Sequence, residues 1–525
     1  MSTENESRIA RLGALARTNI VLILILVVAA IVWILIFTWA ASDFIADGSR
    51  PFRGTWGGVG QFDLFGYTVY YDFEGYVDYD YYYYSWGEQF LSGIAPYTDT
   101  FDKTFVDGTS WNTPYFYPPL YVYMCAFGLV LPIDPFGIGF MISLFGYLTA
   151  FPIYGISAYL AQNRRVGEIS VITYLFNPLV LFYTTFKWLN PAPFVFFVML
   201  SFYLLMKGRR LSGTLAMVTA ALFKQTAFFL ALPLIAYILK RAPTKQPEVV
   251  GGKRPPGDEL DLRGFAKIAL AVLVYIAVVS LPYLFDLQNY LYYIFQRPGG
   301  FLLEDLTNLP DVSQPISPAV LLIFLDAPTW LVDIVNKATY YNIFLAISIL
   351  TLLVLMLLQV KDDNNLPAYW RRMFFLSLLL ILCVHIFSPR GMYKYYCVAL
   401  IPFFSIQSVS SMISVKKQTV KPSIFMLLNP ILFGLLILTP NRYVYIAFII
   451  LMLLGYICHR QFSVVLEVAS DGYDAASFLS GSRYQEAENA PSLLCKRMNL
   501  ALRLELFKLL LFLLNLLPYT NDSGV

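Results

Sequence analysis

Charge is the scarcest commodity in this chain. Only 14% of its 525 residues are Asp, Glu, Lys or Arg, while 58% are hydrophobic. A soluble domain carries about a quarter charged residues, so this composition excludes a water-facing surface over the whole molecule. Histidine is nearly missing, with only His385 and His459, which removes most metal-hydrolase and Ser-His chemistries. The five cysteines, Cys125, Cys383, Cys397, Cys458 and Cys495, form no C-x-x-C pair. That argues against a zinc site and against a disulfide framework. The basic residues are scattered over loops at a net charge of +3, which leaves no basic stripe for nucleic acid.

What the chain has instead is apolar sequence in long runs. Residues 20–41 contain no charge at all, and further apolar runs lie near 136–160, 168–186, 266–285, 342–360, 373–388, 395–413, 423–439 and 443–458. About 20 apolar residues cross a hydrocarbon core, so the expected fold is an all-α polytopic bundle. The first run is too long for a cleavable signal and lacks a small-residue cleavage motif, so it reads as a retained helix. Arg8, Arg11 and Arg17 precede it, and an acidic, aromatic loop follows over 42–135. The positive-inside rule then puts the N-terminus in the cytoplasm and the loop outside. The apolar stretch 118–131 would reach only ~21 Å as a helix, short of the ~30 Å core. If it stays on the outer side, Arg164–Arg165, Lys207–Arg210, Lys240–Arg241 and the Pro/Gly-rich insertion 241–264 all become cytoplasmic. The count is then about twelve crossings, with the short pair 211–223 and 226–240 among them. Residues 1–459 form the membrane module, and 460–525 a cytoplasmic tail whose stretch 498–518 reads as an amphipathic surface helix. The plasma membrane or the endoplasmic reticulum would house such a protein.

The external loop concentrates the chemistry-bearing residues. Asp72, Glu74, Asp78 and Asp80 stand at the start of an expected helix, beside Tyr79, Tyr81 to Tyr84 and Trp86. Aromatic faces next to carboxylates suit a sugar; the same rings also suit an interfacial aromatic belt, and the acids suit the positive end of a helix dipole. Cations expected on that side are Lys187, Lys224, Arg297, Arg390 and Lys394. Each can bind an anion or merely snorkel to the interface. His385, inside an apolar run, reads first as a satisfied bundle residue and second as a residue in contact with a bound donor.

Several short motifs in order add a resemblance. Asp78-x-Asp80-Tyr81, Gly93-x-x-Pro96-Tyr97 and Tyr115-Phe116-Tyr117-Pro118-Pro119-Leu120 resemble the first-loop signature of GT-C glycosyltransferases. The likeness is greatest to the catalytic subunit of GPI mannosyltransferase I and related prokaryotic mannosyltransferases. Phe176-Asn177-Pro178, Lys187-Trp188-Leu189-Asn190, Phe223-Lys224 with Leu232-Pro233, and Phe387-Ser388 through Tyr395-Tyr396 with Pro402 continue it downstream. Lys187 replaces the family's Arg, Trp188 its Gly, and the run Tyr81–Tyr84 is foreign to it.

The resemblance implies a polyprenyl-phosphate sugar donor, a lipid-linked glycan or glycolipid acceptor, and transfer of one hexose, mannose foremost, with inversion. On that reading Asp80, then Asp78, is the general base. Arg390, Lys394, Lys224 and Lys187 receive the departing phosphate. Tyr81, Tyr84, Trp86, Tyr117 and Asn190 hold sugar or acceptor. No cofactor is required; a divalent cation on the Asp78/Asp80 pair is weighed and not favoured, and no metal ligands are assigned. Membrane lipids are the remaining partners. The alternative reading is a transporter or flippase for a polar lipid or solute, against which the nearly charge-free spans argue.

Overall fold

The computed structural model describes residues 19–46, 59–64, 66–72, 78–98, 102–104, 110–112, 114–161, 163–239, 261–296, 317–358, 367–388 and 391–412, with Pro430 and Gly434. The expected spans at 423–439 and 443–458, the insertion 241–264 (all but its last four residues) and the tail 460–525 lie outside these residues.

The molecule is a helical bundle. Among the described residues four helices are long and apolar enough to cross a membrane: Ile20–Ser42, Gly137–Ala161, Leu262–Phe295 and Tyr369–Phe387. Two bent pairs raise the number to six if each is one span: Arg164–Leu175 with Pro178–Phe186, bent by 46°, and Thr329–Tyr340 with Ile343–Leu358, bent by 60°. The first break has a local cause. Pro178 opens the second half, and the side chain of Asn177 caps it by accepting from Leu179 N; a proline disfavours helical geometry in the residue before it.

The expectation of about twelve crossings is therefore corrected to four to six among the described residues. Helix Pro191–Met206 has 16 residues and Arg210–Phe223 has 14. At 1.5 Å per residue they reach only about 24 and 21 Å. They are apolar because protein packs around them, which composition does not distinguish from lipid. The loop after the first helix also departs from an all-helical expectation. It carries two antiparallel hairpins, Val59–Leu64 with Tyr67–Asp72 and Asp102–Thr104 with Ser110–Asn112.

The first helix defines two ends of the bundle. At its start, Asn19 Oδ1 accepts from Arg164 Nη2 at 3.1 Å. The same end holds Arg165 on Glu168 at 2.8 Å, Arg210 on Asp261 at 3.6 Å, and Arg371 Nη2 on Leu160 O at 2.7 Å. At its far end, the Phe44 ring lies 6.1 Å from Tyr79, 5.8 Å from Phe136 and 6.1 Å from Trp188. Arginine side chains and their partners thus mark one end, and the rings around Phe44 the other.

Helix Pro119–Val130 has 12 residues, fewer than the about 20 that cross a hydrocarbon core. It lies along helix Ser85–Leu91, so closely that a Cβ on Gly87 would overlap Leu129 and crowd the Cys125 backbone. Its two flanks reach the same short segment. Asn190 joins Tyr117, just before it, to Tyr83, and Asp134, just after it, accepts from Tyr84 OH at 3.1 Å.

Candidate functional site

The site is built at the aromatic end, beginning with the tyrosine run. Residues Tyr79–Tyr84 form a π-helical turn leading directly into Ser85–Leu91; such widened turns are frequent at functional sites. Tyr79 and Tyr83 are buried. Tyr79 OH donates to Pro135 O at 2.6 Å, which fastens the turn to the bundle. Trp86 is fully buried, its indole ringed by Tyr115, Phe116 and Tyr117 at 5.0, 5.4 and 5.5 Å, all edge-on. Edge-to-face packing of this kind adds ~0.5–1.5 kcal/mol per pair beyond the area buried.

From this knot a chain of hydrogen bonds runs between two charged residues. Lys224 Nζ donates to Asn190 Oδ1 at 2.7 Å. The Asn190 amide donates to Tyr83 OH at 2.8 Å and to Tyr117 OH at 2.7 Å. Tyr83 OH in turn donates to Asp78 Oδ2 at 3.4 Å, and Tyr395 OH reaches the same oxygen at 3.3 Å. Charge-assisted ends strengthen such a chain. Burial, then the neighbouring Tyr121 and Asp78, hold the Tyr83 phenol well above its ordinary range, so it stays a neutral donor. Lys224 is 6% exposed and lies 4.3 Å above the Tyr396 ring. A buried ammonium costs several kcal/mol unless partners surround it; the Asn190 carbonyl and the aromatic face do that here.

Local backbone explains how Asn190 arrives. Trp188 has φ +53°, the left-handed region that a non-glycine residue rarely adopts. Its buried indole fits because Gly139 lacks a Cβ, which would overlap it. Rings of Tyr79 and Phe37 at 4.8 and 5.3 Å hold it there. Strain of ~1–3 kcal/mol persists only under such over-determined packing. Pro191 then starts the next helix, with Asn190 at its N-cap.

Beside the chain lies a cavity of about 230 Å³ whose lining includes Tyr117, Lys224, Gln225, Asn342, His385 and Tyr396. Gln225 Nε2 also donates to the carbonyls of Phe116 and Ile294, tying the loop to the helix Leu262–Phe295.

The residues singled out in the sequence divide as follows. Asp78, Tyr117, Asn190 and Lys224 are brought together in one network. Trp86 is the centre of the neighbouring ring cluster, and Tyr84 binds Asp134. Lys187 and Lys394 are buried, Lys187 with its ammonium 6.0 Å from the Phe186 ring. Asp80 and Tyr81 lie in the Tyr79–Tyr84 turn, and their side chains fall outside the description. Arg390, Arg297 and Glu74 also lie outside the described residues, and Asp72 ends a strand. Sequence reasoning passed over Tyr83, Gln225 and Tyr395 as separate members of the network, and gave His385 a bundle role. Among the described residues no three His, Cys, Asp or Glu side chains cluster as a metal site.

Residues 112–302 match the protein family described as PIG-U, GPI transamidase subunit PIG-U. No curated protein matches the chain. The family match, which covers under half of the chain, runs through Tyr115–Leu120, Asn190 and Lys224 and corrects the reading drawn from them. A GPI transamidase subunit is neither a GT-C glycosyltransferase nor a mannosyltransferase. Hexose transfer is withdrawn, together with its polyprenyl-phosphate donor and its lipid-linked glycan or glycolipid acceptor. The transporter or flippase alternative finds no support either. The physical reason for the misreading is visible: these motif residues stitch the loop to the bundle. A shared scaffold needs that stitching whatever chemistry is carried out on it.

Proposed function

We propose that the chain is a multi-pass, protein-partnered subunit of a membrane assembly of the GPI transamidase kind, the enzyme that attaches GPI to proteins. The observation that carries this is the family match over 112–302, which includes Tyr117, Asn190, Lys224 and Gln225 of the buried network. In this reading the chain supplies a rigid membrane scaffold, and a partner supplies the bond-making residues. The basic end, with Arg164, Arg165, Arg210 and Arg371, faces the cytoplasm by the positive-inside rule. The aromatic end faces the lumen or the exterior, at the level where lipid headgroups lie. There the charged residues Asp78, Lys187, Lys224 and Lys394 position the loop rather than react.

Affinity purification of the full chain from its native membranes in mild detergent tests the reading. The expected result is a stoichiometric complex with other membrane proteins. A chain that purifies as a monomer, with no partner in fixed ratio, contradicts it.

A further inference from the structure

Away from the aromatic site, a groove of about 660 Å³ lies between helices Gly137–Ala161 and Pro191–Met206. The two helices run the same way. Phe145 meets Phe196 and Phe197 at 5.7 Å. Further along, Gly155 meets Tyr203 so closely that a Cβ would overlap its ring. Both helices therefore lead to the basic end, the first to Arg164 and Arg165 and the second to Lys207, Arg209 and Arg210. Leu148, Phe151, Phe196 and Leu200 line the groove, and the Phe151 ring is half exposed. From Leu148 to Tyr159 the lining follows its helix for about 16 Å at 1.5 Å per residue, half of the ~30 Å hydrocarbon core. The groove is thus one leaflet deep, and it ends where the headgroups of that leaflet begin.

Positive charge stands at that end. Lys207 is exposed and is the charged residue of the lining. Its ammonium lies 5.7 Å from the ring of Tyr203, one turn back along the helix. Gly208 follows in the left-handed region at φ +74°, and its N–H closes on Leu205 O at 2.8 Å. The helix stops there, and the exposed Arg209 adds a second cation to the same turn. The groove therefore pairs hydrocarbon along its length with cations at its mouth. A partner's helix laid in it would bury the Lys207 ammonium beside apolar side chains, a cost that needs a matched carboxylate to offset it. A phospholipid supplies both complements at the correct depth: acyl chain for the groove and a charged phosphate at the headgroup level. The leaflet that basic turns face is also the one rich in anionic lipid.

We infer that this groove holds an anionic phospholipid of the leaflet at the basic end, with an acyl chain between helices Gly137–Ala161 and Pro191–Met206 and the headgroup on Lys207. The inference rests on reading the chain as a multi-pass membrane protein with its basic end cytoplasmic. It does not depend on what the assembly does.

The test uses the full chain, purified in mild detergent with whatever partners accompany it and reconstituted into nanodiscs. The discs carry phosphatidylserine or phosphatidylcholine with the same acyl chains, each bearing a photoactivated diazirine at mid-chain, and labelled peptides are read by mass spectrometry. Adducts are expected within 148–159 and 196–207, about fivefold more with phosphatidylserine than with phosphatidylcholine, the scale of one lysine close to an anionic membrane surface. Lys207→Gln should bring the two lipids to parity, Lys207→Arg should keep the preference, and raised salt should shrink it. Ala158→Phe, which fills the groove without changing its charge, should lower labelling by both lipids. Lys207 is exposed, so its variants should melt as the wild type does, which separates lost binding from lost fold. Equal labelling by the two lipids, or a preference unchanged in Lys207→Gln, overturns the proposal. So does a groove that takes no label because a co-purified protein covers it. The proteins that accompany the chain are counted separately, so a chain that purifies alone but labels as expected would overturn the assembly reading and leave this one standing.

Discussion

Asn190 uses every hydrogen-bonding position of its side-chain amide that can be counted here: two N–H groups on Tyr83 and Tyr117, and Oδ1 on Lys224. Asn190→Leu leaves a buried ammonium without its acceptor and two phenols without a donor. Removing one partner of a buried charge costs ~3–5 kcal/mol, so the thermal midpoint in detergent should fall sharply. Asn190→Asp, which still accepts from Lys224 but cannot donate, should lie between. An unchanged melting curve for Asn190→Leu would show that the network is incidental. The tyrosines add a pH dependence. Burial holds Tyr83, Tyr97, Tyr115 and Tyr121 well above their ordinary phenol range. Above pH ~10 the unfolded chain releases these protons while the folded chain retains them. Stability should therefore be level through neutral pH and fall as pH rises past ~10, read as melting temperature against pH.

At the scale of elements, two close approaches set the site. Gly139→Ala places a Cβ into the Trp188 indole and disturbs the turn that delivers Asn190. Overpacking of this sort costs ~1–3 kcal/mol, and the variant should melt lower with wild-type expression. The second is helix Pro119–Val130, lying along Ser85–Leu91, which we propose stays on the side of the first loop. Cysteine labelling at positions 134 and 93 should then report one side of the membrane, and position 163 the other. Labelling of position 134 from the side of 163 would mean that this helix crosses. The short helices also explain what was legible in the sequence. Ile20–Ser42 shows itself by length and absence of charge, and the short reach of 118–131 is plain from its length. Helices of 14 and 16 residues, Arg210–Phe223 and Pro191–Met206, look like spans in a hydropathy reading because a protein core and a lipid core select the same side chains. The two hairpins, Val59–Leu64 with Tyr67–Asp72 and Asp102–Thr104 with Ser110–Asn112, were hidden for a different reason. Their alternation is short and lies within a tyrosine-rich background that fits helix, strand or belt.

For the whole molecule, the end of the bundle that carries the site was legible and its purpose was not. Asp78, Tyr117, Asn190 and Lys224 stand out by motif, and they do meet. His385 reads from sequence as a bundle residue first and a donor contact second, because a lone histidine in an apolar run carries little signal until Lys224 and the cavity appear next to it. The catalytic reading failed because a motif records which residues a scaffold keeps, not which of them touch a substrate. The family match over 112–302 withdraws the expected glycosyl transfer, and the proposal places the bond-making step in a partner. The central claim is that the chain is needed for GPI attachment without making the bond. The measurement is attachment of GPI to a reporter precursor protein in native membranes depleted of this chain. The account predicts that the unattached precursor accumulates, that wild-type chain restores attachment, and that Asn190→Leu does not. Attachment that proceeds undiminished in the depleted membranes would contradict it.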